Sequence, residues 1–126
     1  MKLELTIPEI EQFIQSYFDV SVGIKYLDID RIKVNYIFNM EVTVQDVQDY
    51  CVLFGYKVNK LTHVIARGTK FFMKEKFNSD IVVWDTSKKE ILLNLNQITG
   101  LKGFLKVYRI QSFEIRDEKI ILTMVI

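Results

Sequence analysis

The sequence feature that most constrains the fold is an alternation of apolar and polar residues from Ile32 to Val44. Apolar side chains stand at every second position of this stretch, and Ile37 alone breaks the pattern. A period of two is typical of an extended strand with one buried face, so the pattern predicts a single strand over the whole stretch. At about 3.3 Å per residue this strand would span roughly 40 Å, and because sheets twist, we expect a long sheet that curves strongly around another element.

The N-terminal residues predict a capped amphipathic helix. Thr6 is a plausible N-cap, Glu9 follows three residues later at capping-box spacing, and Pro8 is tolerated in the first turn. Apolar residues then recur at helical spacing and form one stripe: Ile10, Phe13, Ile14, Tyr17 and Phe18.

A second helix is predicted from Asn59 to Phe77, and we expect the curved sheet to wrap around it. One face is apolar at helical spacing, and the opposite face carries cationic or titratable side chains. This predicted basic surface consists of Lys60, His63, Arg67, Lys70 and Lys74. Two interpretations of it stay open: a face that is simply solvated, or a face that contacts an anionic membrane surface.

The other segments predict more strands and no second domain. Gly100 and Gly103 indicate a turn, and Asp28 and Asp30 are interpreted as solvated turn residues, because the glycine and later glutamate of a calcium loop are missing. The order predicts one α+β domain, residues 1–126, with an antiparallel sheet. Its remaining strands are expected at 20–26, 47–58, 81–84, 90–95, 107–116 and 119–126.

The cysteine and histidine content argues against an enzyme. Cys51 and His63 are the only residues of their kinds, which rules out an internal disulfide and leaves too few ligands for a structural zinc. Cys51 lies in an apolar run and His63 on the polar side of a predicted helix, so nothing brings a nucleophile and a base together. We therefore expect no catalytic residues, no metal and no cofactor.

Charge and hydropathy limit the partners. The first 50 residues carry four Lys or Arg against nine Asp or Glu, whereas the remaining 76 carry thirteen against seven. The overall pI of about 7.8 is modest for a nucleic-acid-binding domain, so no nucleic acid is expected. The N-terminus has no signal-peptide pattern, and no stretch approaches the length of a membrane span. The expectation is a cytoplasmic protein capable of peripheral membrane association.

Two segments resemble the small bacterial tubular lipid-binding (TULIP-like) domains. One is the opening 5–14 (LTIPEIEQFI), a capped helix that precedes long strands, and the other is the ending 110–122 (IQSFEIRDEKIIL), an apolar/polar strand, an acidic turn and an apolar strand. The resemblance implies a highly curved antiparallel sheet around a long helix, with an apolar groove for lipid-like ligands. It implies no catalytic residues.

These observations lead to two functional hypotheses. The first is non-enzymatic binding of a hydrophobic, lipid-like ligand in a groove between the sheet and the helix, at an anionic membrane surface. The second is a protein–protein interaction or oligomeric module with a filled core, whose apolar face is covered by a partner chain. For the first hypothesis, the expected ligand-contacting residues are Tyr36, Phe38, Met40, Val64, Phe72, Trp84 and Phe113.

Overall fold

The computed structural model describes residues 1–36, 39–58 and 79–126. Within these ranges there are two α-helices, α1 (Ile7–Phe18) and the single-turn α2 (Thr99–Lys102), and single-turn 3-10 helices at Leu95–Gln97 and Phe104–Lys106. The strands are β1 (Lys2–Thr6), β2 (Gly23–Asp28), β3 (Arg31–Asn35), β4 (Asn39–Val47), β5 (Cys51–Val58), β6 (Val82–Asp85), β7 (Glu90–Asn94), β8 (Arg109–Arg116) and β9 (Lys119–Val125).

The strands form two open antiparallel sheets, so the predicted α+β class with an antiparallel sheet is confirmed. The smaller sheet has the order β1-β9-β8, and the larger has the order β2-β3-β4-β5-β7-β6. Every pairing between the described strands is antiparallel. The chain begins and ends in the smaller sheet, where β1 pairs with β9, and this pairing positions α1 directly after the edge strand.

Helix α1 is capped as the sequence predicts. The Thr6 hydroxyl accepts a hydrogen bond from the Glu9 N–H at 3.3 Å, and the Thr6 N–H donates to Glu9 Oε1 at 3.1 Å. These two bonds satisfy two N–H groups that have no partner within the helix. At the other end Asp19 adopts a left-handed conformation, and its N–H donates to the Gln15 carbonyl.

The prediction of one long strand from Ile32 to Val44 is wrong, because this stretch is a β-hairpin. Strands β3 and β4 pair with Ile32 opposite Val42 and Val34 opposite Met40. The position numbers of the two residues in each pair differ by an even number, and directly opposed residues in an antiparallel pair point to the same face. The alternation of apolar residues therefore passes through the reversal unchanged, although the strand direction inverts.

Several shorter predictions are confirmed and others are not. The strand expected within 47–58 is present as β5, and both C-terminal hairpins are present as β6–β7 and β8–β9. Strand β1 was not predicted, and the turn expected at Gly100 and Gly103 is instead a succession of short helical turns. The predicted helix Asn59–Phe77 lies outside the described residues, as does the expectation that the sheet wraps around it.

Asp30 joins the two sheets, which corrects its interpretation as a solvated turn residue. Its N–H donates to the Ile115 carbonyl at 2.8 Å, and its Oδ1 accepts the Ile115 N–H at 2.9 Å. Its own carbonyl accepts the Val44 N–H at 2.9 Å. The β2–β3 turn is thereby fixed to strand β8 of the smaller sheet, and the inner faces of the two sheets are held opposite each other.

Candidate functional site

A cavity of about 590 Å³ lies between the two sheets and helix α1. Each of the nine described strands contributes to its lining, and residues of the segment between β7 and β8 form another part of the wall. This volume falls within the range of about 300–1,000 Å³ that is typical of small-molecule sites. The cavity is the candidate functional site because it is where the two sheets and the helix converge.

The lining follows from the alternation of side chains along each strand. In β6 the alternate residues Val82 and Trp84 face the cavity, whereas Val83 between them is 41% exposed on the outer face. Strands β3 and β4 contribute Ile32, Val34, Met40 and Val42 in the same way. The alternation predicts one long strand wrongly, yet four of its apolar side chains do face the cavity, because the side on which a strand residue lies depends on whether its position is odd or even.

Helix α1 covers the cavity without being buried itself. None of its residues is buried, yet its apolar stripe belongs to the cavity lining. Phe13 and Tyr17, whose rings stack at a centroid distance of 5.3 Å, line the cavity and are also exposed to solvent. A side chain that does both stands where the cavity meets the surface, so the α1 side is an entrance.

One side-chain hydrogen bond fixes α1 to the edge of the larger sheet. Glu11 Oε2 accepts the backbone N–H of Ile24 in β2 at 2.9 Å. Strand β2 is an edge strand, and its outward N–H groups would otherwise face solvent. The bond therefore covers part of the edge and holds the apolar stripe over the cavity.

The described lining is predominantly apolar. The described residues that line the cavity include no charged side chain and no amide or aliphatic hydroxyl side chain. The indole Nε1 of Trp84 is buried and has no hydrogen-bond partner among the described residues, and the Trp84 ring meets Tyr56 edge to face at 5.3 Å. This wall offers dispersion contacts and exclusion of water rather than polar recognition.

Four of the seven residues expected to contact a ligand line this one cavity: Tyr36, Met40, Trp84 and Phe113. Phe113 also packs its ring edge to face on Phe54, another lining residue, at a centroid distance of 5.6 Å. The other three, Phe38, Val64 and Phe72, lie outside the described residues. The whole predicted basic surface, Lys60, His63, Arg67, Lys70 and Lys74, also lies outside them.

Sequence reasoning missed the contribution of the N-terminus to the cavity. The sequence predicts the apolar stripe of α1 but not its place in a cavity wall, and it does not predict that Leu3 and Leu5 of β1 line the cavity. A signal was present, because the stripe carries three aromatic rings, at Phe13, Tyr17 and Phe18, on a helix of only twelve residues. Such a stripe needs a wide apolar surface opposite it.

Catalytic chemistry finds little support in the geometry around Cys51. Burial and then the negative charge of Asp46 raise the pKa of the Cys51 thiol, and its Sγ donates to Gln48 Oε1 at 3.1 Å. A raised pKa keeps the thiol protonated at neutral pH, whereas a nucleophile requires the thiolate.

Among the described residues, no group of three His, Cys, Asp or Glu side chains is arranged to hold a metal ion.

The helices within the described ranges are too short or too polar to cross a membrane. Comparison with known proteins found no matching family model, no matching curated protein and no matching solved structure. The resemblance to the tubular lipid-binding domains therefore stays a prediction from the sequence.

Proposed function

We propose that this protein binds a hydrophobic, lipid-like ligand in the cavity between the two sheets and α1, and that it does so without catalysing a reaction. The observation that carries the proposal is the cavity of about 590 Å³ whose described lining holds no charged side chain. An apolar cavity of this size is poorly suited to ordered water, which needs two to four polar partners.

The driving force for binding is the removal of apolar ligand surface from water. Each methylene group that moves from water into the cavity contributes about 0.8 kcal/mol. Because the described lining offers no ionic partner, the affinity should come from the hydrocarbon part of the ligand, and a polar head group would stay at the entrance near Phe13 and Tyr17. The ligand class is therefore a molecule with an extended or branched hydrocarbon body.

Adjacent residues in strand β6 provide a matched pair of variants. Val82 lines the cavity and is 8% exposed, whereas Val83 is on the outer face. Val82→Phe should fill part of the cavity and weaken ligand binding by about tenfold or more, whereas Val83→Phe should bind like the wild type. Because the protein has one tryptophan, Trp84 in the lining, energy transfer from it to a bound polyene fatty acid measures occupancy directly.

The purified protein provides a first and simpler test. Native mass spectrometry followed by solvent extraction should detect a bound apolar molecule at near-stoichiometric amounts. An unoccupied protein that also fails to bind the polyene fatty acid would overturn the proposal. If that protein were a dimer, the second hypothesis, an interaction module whose apolar face is covered by a partner, would replace it.

A further inference from the structure

The segment that joins β7 to β8, residues 95–108, is amphipathic in an unusual way. Its inward residues Ile98, Leu101 and Leu105 pack against the core, and Leu101 also lines the cavity. A solvated outer face would carry polar side chains. Instead, Phe104 is 46% exposed and Val107 is 63% exposed.

Local geometry places these two apolar side chains on the same side of the segment. Phe104 begins a single 3-10 turn, and the N–H of Val107 donates to the Phe104 carbonyl at 3.1 Å. Side chains three residues apart eclipse each other in a 3-10 helix. Phe104 and Val107 therefore form one apolar protrusion, and Leu105 between them is buried on the opposite side.

The charged side chains of this segment are all positive. Lys102 and Lys106 flank Phe104 and are exposed. The sequence from Ile91 to Phe113 contains no acidic residue. The remaining cation of that stretch, Arg109, lies 4.0 Å from Asp49 in an exposed ion pair. The protrusion is apolar, two lysines flank it, and no acidic residue is near it in the sequence. Such a surface is complementary to one that is negatively charged outside and apolar beneath.

We infer that Lys102, Phe104, Lys106 and Val107, here called the docking face, attach the protein to an anionic phospholipid bilayer. Phe104 and Val107 would enter the interface between head groups and acyl chains, and the two lysines would contact anionic head groups. The docking face follows the cavity wall directly in sequence, because Gly100, which is exposed, and Leu101 both line the cavity. This inference rests on the proposed function in one respect: attachment at the docking face would bring the ligand cavity close to a bilayer that supplies or receives the ligand.

The test is co-sedimentation with vesicles of phosphatidylcholine alone or mixed with phosphatidylglycerol. The wild type should bind the anionic vesicles, bind the neutral ones poorly, and lose binding as salt is raised. The double variants K102E/K106E and F104S/V107S should each lower binding to anionic vesicles roughly tenfold or more. The matched controls are K25E/K88E, which makes the same charge change at exposed lysines elsewhere, and I29S, which removes another exposed apolar side chain.

Several results would overturn the inference. One is that both double variants bind anionic vesicles as well as the wild type does. Another is that the wild type binds neutral and anionic vesicles equally. A third is that binding is lost only when the charges of Arg67, Lys70 and Lys74 are reversed. A solution dimer that dissociates in F104S/V107S would assign the face to a second copy instead. Binding of the polyene fatty acid in the absence of vesicles separates the two proposals, because none of the four docking residues lines the cavity.

Discussion

At the scale of single residues, the junction between the sheets depends on Asp30. Its backbone has a φ of 62°, in the left-handed region that aspartate and asparagine tolerate better than most residues. Its carboxylate accepts the N–H of Ile115, a residue that is 1% exposed. Without this acceptor a buried N–H would lose its partner, and such a loss is costly.

We therefore expect Asp30→Ala to lower the free energy of unfolding by about 1–3 kcal/mol in urea denaturation. Asp30→Asn retains an acceptor oxygen and the left-handed preference, so it should lose clearly less. An equal loss in both variants would show that the carboxylate charge, and not the acceptor position, is what matters.

Glu9 makes the stability of α1 depend on pH. The hydrogen bonds from the backbone N–H and then from the hydroxyl of Thr6 lower the pKa of Glu9 below its ordinary value of 4.5. A carboxyl with a lowered pKa in the folded state contributes stability above its unfolded pKa and loses it as the pH falls through the folded pKa. Protonated Glu9 no longer provides the charged acceptor.

Accordingly, the difference in thermal unfolding midpoint between the wild type and Glu9→Gln should be larger at about pH 7 than at about pH 3. Differential scanning calorimetry across this range measures it. A difference that stays constant with pH would mean that the charge of Glu9 contributes nothing to the cap.

At the scale of elements, α1 is a weakly anchored part of the described cavity wall. It buries no residue, and its attachment to the larger sheet includes the bond from Ile24 to Glu11. Elements with few buried contacts open at a lower free energy than the core strands. Strands β8 and β9, which hold Ile115 and Met124, are in contrast almost fully buried at these positions.

Removing the Glu11 bond should loosen α1. We expect Glu11→Ala to speed amide hydrogen exchange in α1 and to raise the dissociation rate of a bound polyene fatty acid by a few-fold, whereas Glu11→Gln, which keeps an acceptor, should change both less. Exchange in β8 and β9 is the internal reference. Release that is unaffected by Glu11→Ala would place the exit route elsewhere.

At the scale of the whole molecule, the cavity couples ligand chemistry to stability. In a series of saturated fatty acids, each added methylene should tighten binding about fourfold until the cavity is full, and then the affinity should level off. The corresponding alcohols should bind with similar affinity, because no charged side chain is present in the described lining. Calorimetric titration measures both trends, and a strong preference for the carboxylate would contradict an apolar site.

Part of this fold could be predicted from the sequence, because some of its features depend only on residues close together in the chain. The capped helix was predictable because Thr6, Pro8 and Glu9 act within a few residues of one another, and the hairpins β6–β7 and β8–β9 because their turns are short and polar. The inward residues Tyr36, Met40, Trp84 and Phe113 were also predictable, since burial of a strand face follows residue parity.

Other features required the tertiary structure, because they depend on contacts between residues far apart in the chain. Reversal of direction between Ile32 and Val44 leaves the alternation intact, so only the pairing of β3 with β4 distinguishes a hairpin from one long strand. The role of Asp30 depends on Ile115, 85 residues away, and the pairing of β1 depends on β9 at the opposite end of the chain. The sequence alone determined which side chains of these strands are turned inward. The arrangement of the two sheets and α1 decided that these side chains surround a cavity, because the volume between elements depends on how the elements pack and not on any single element.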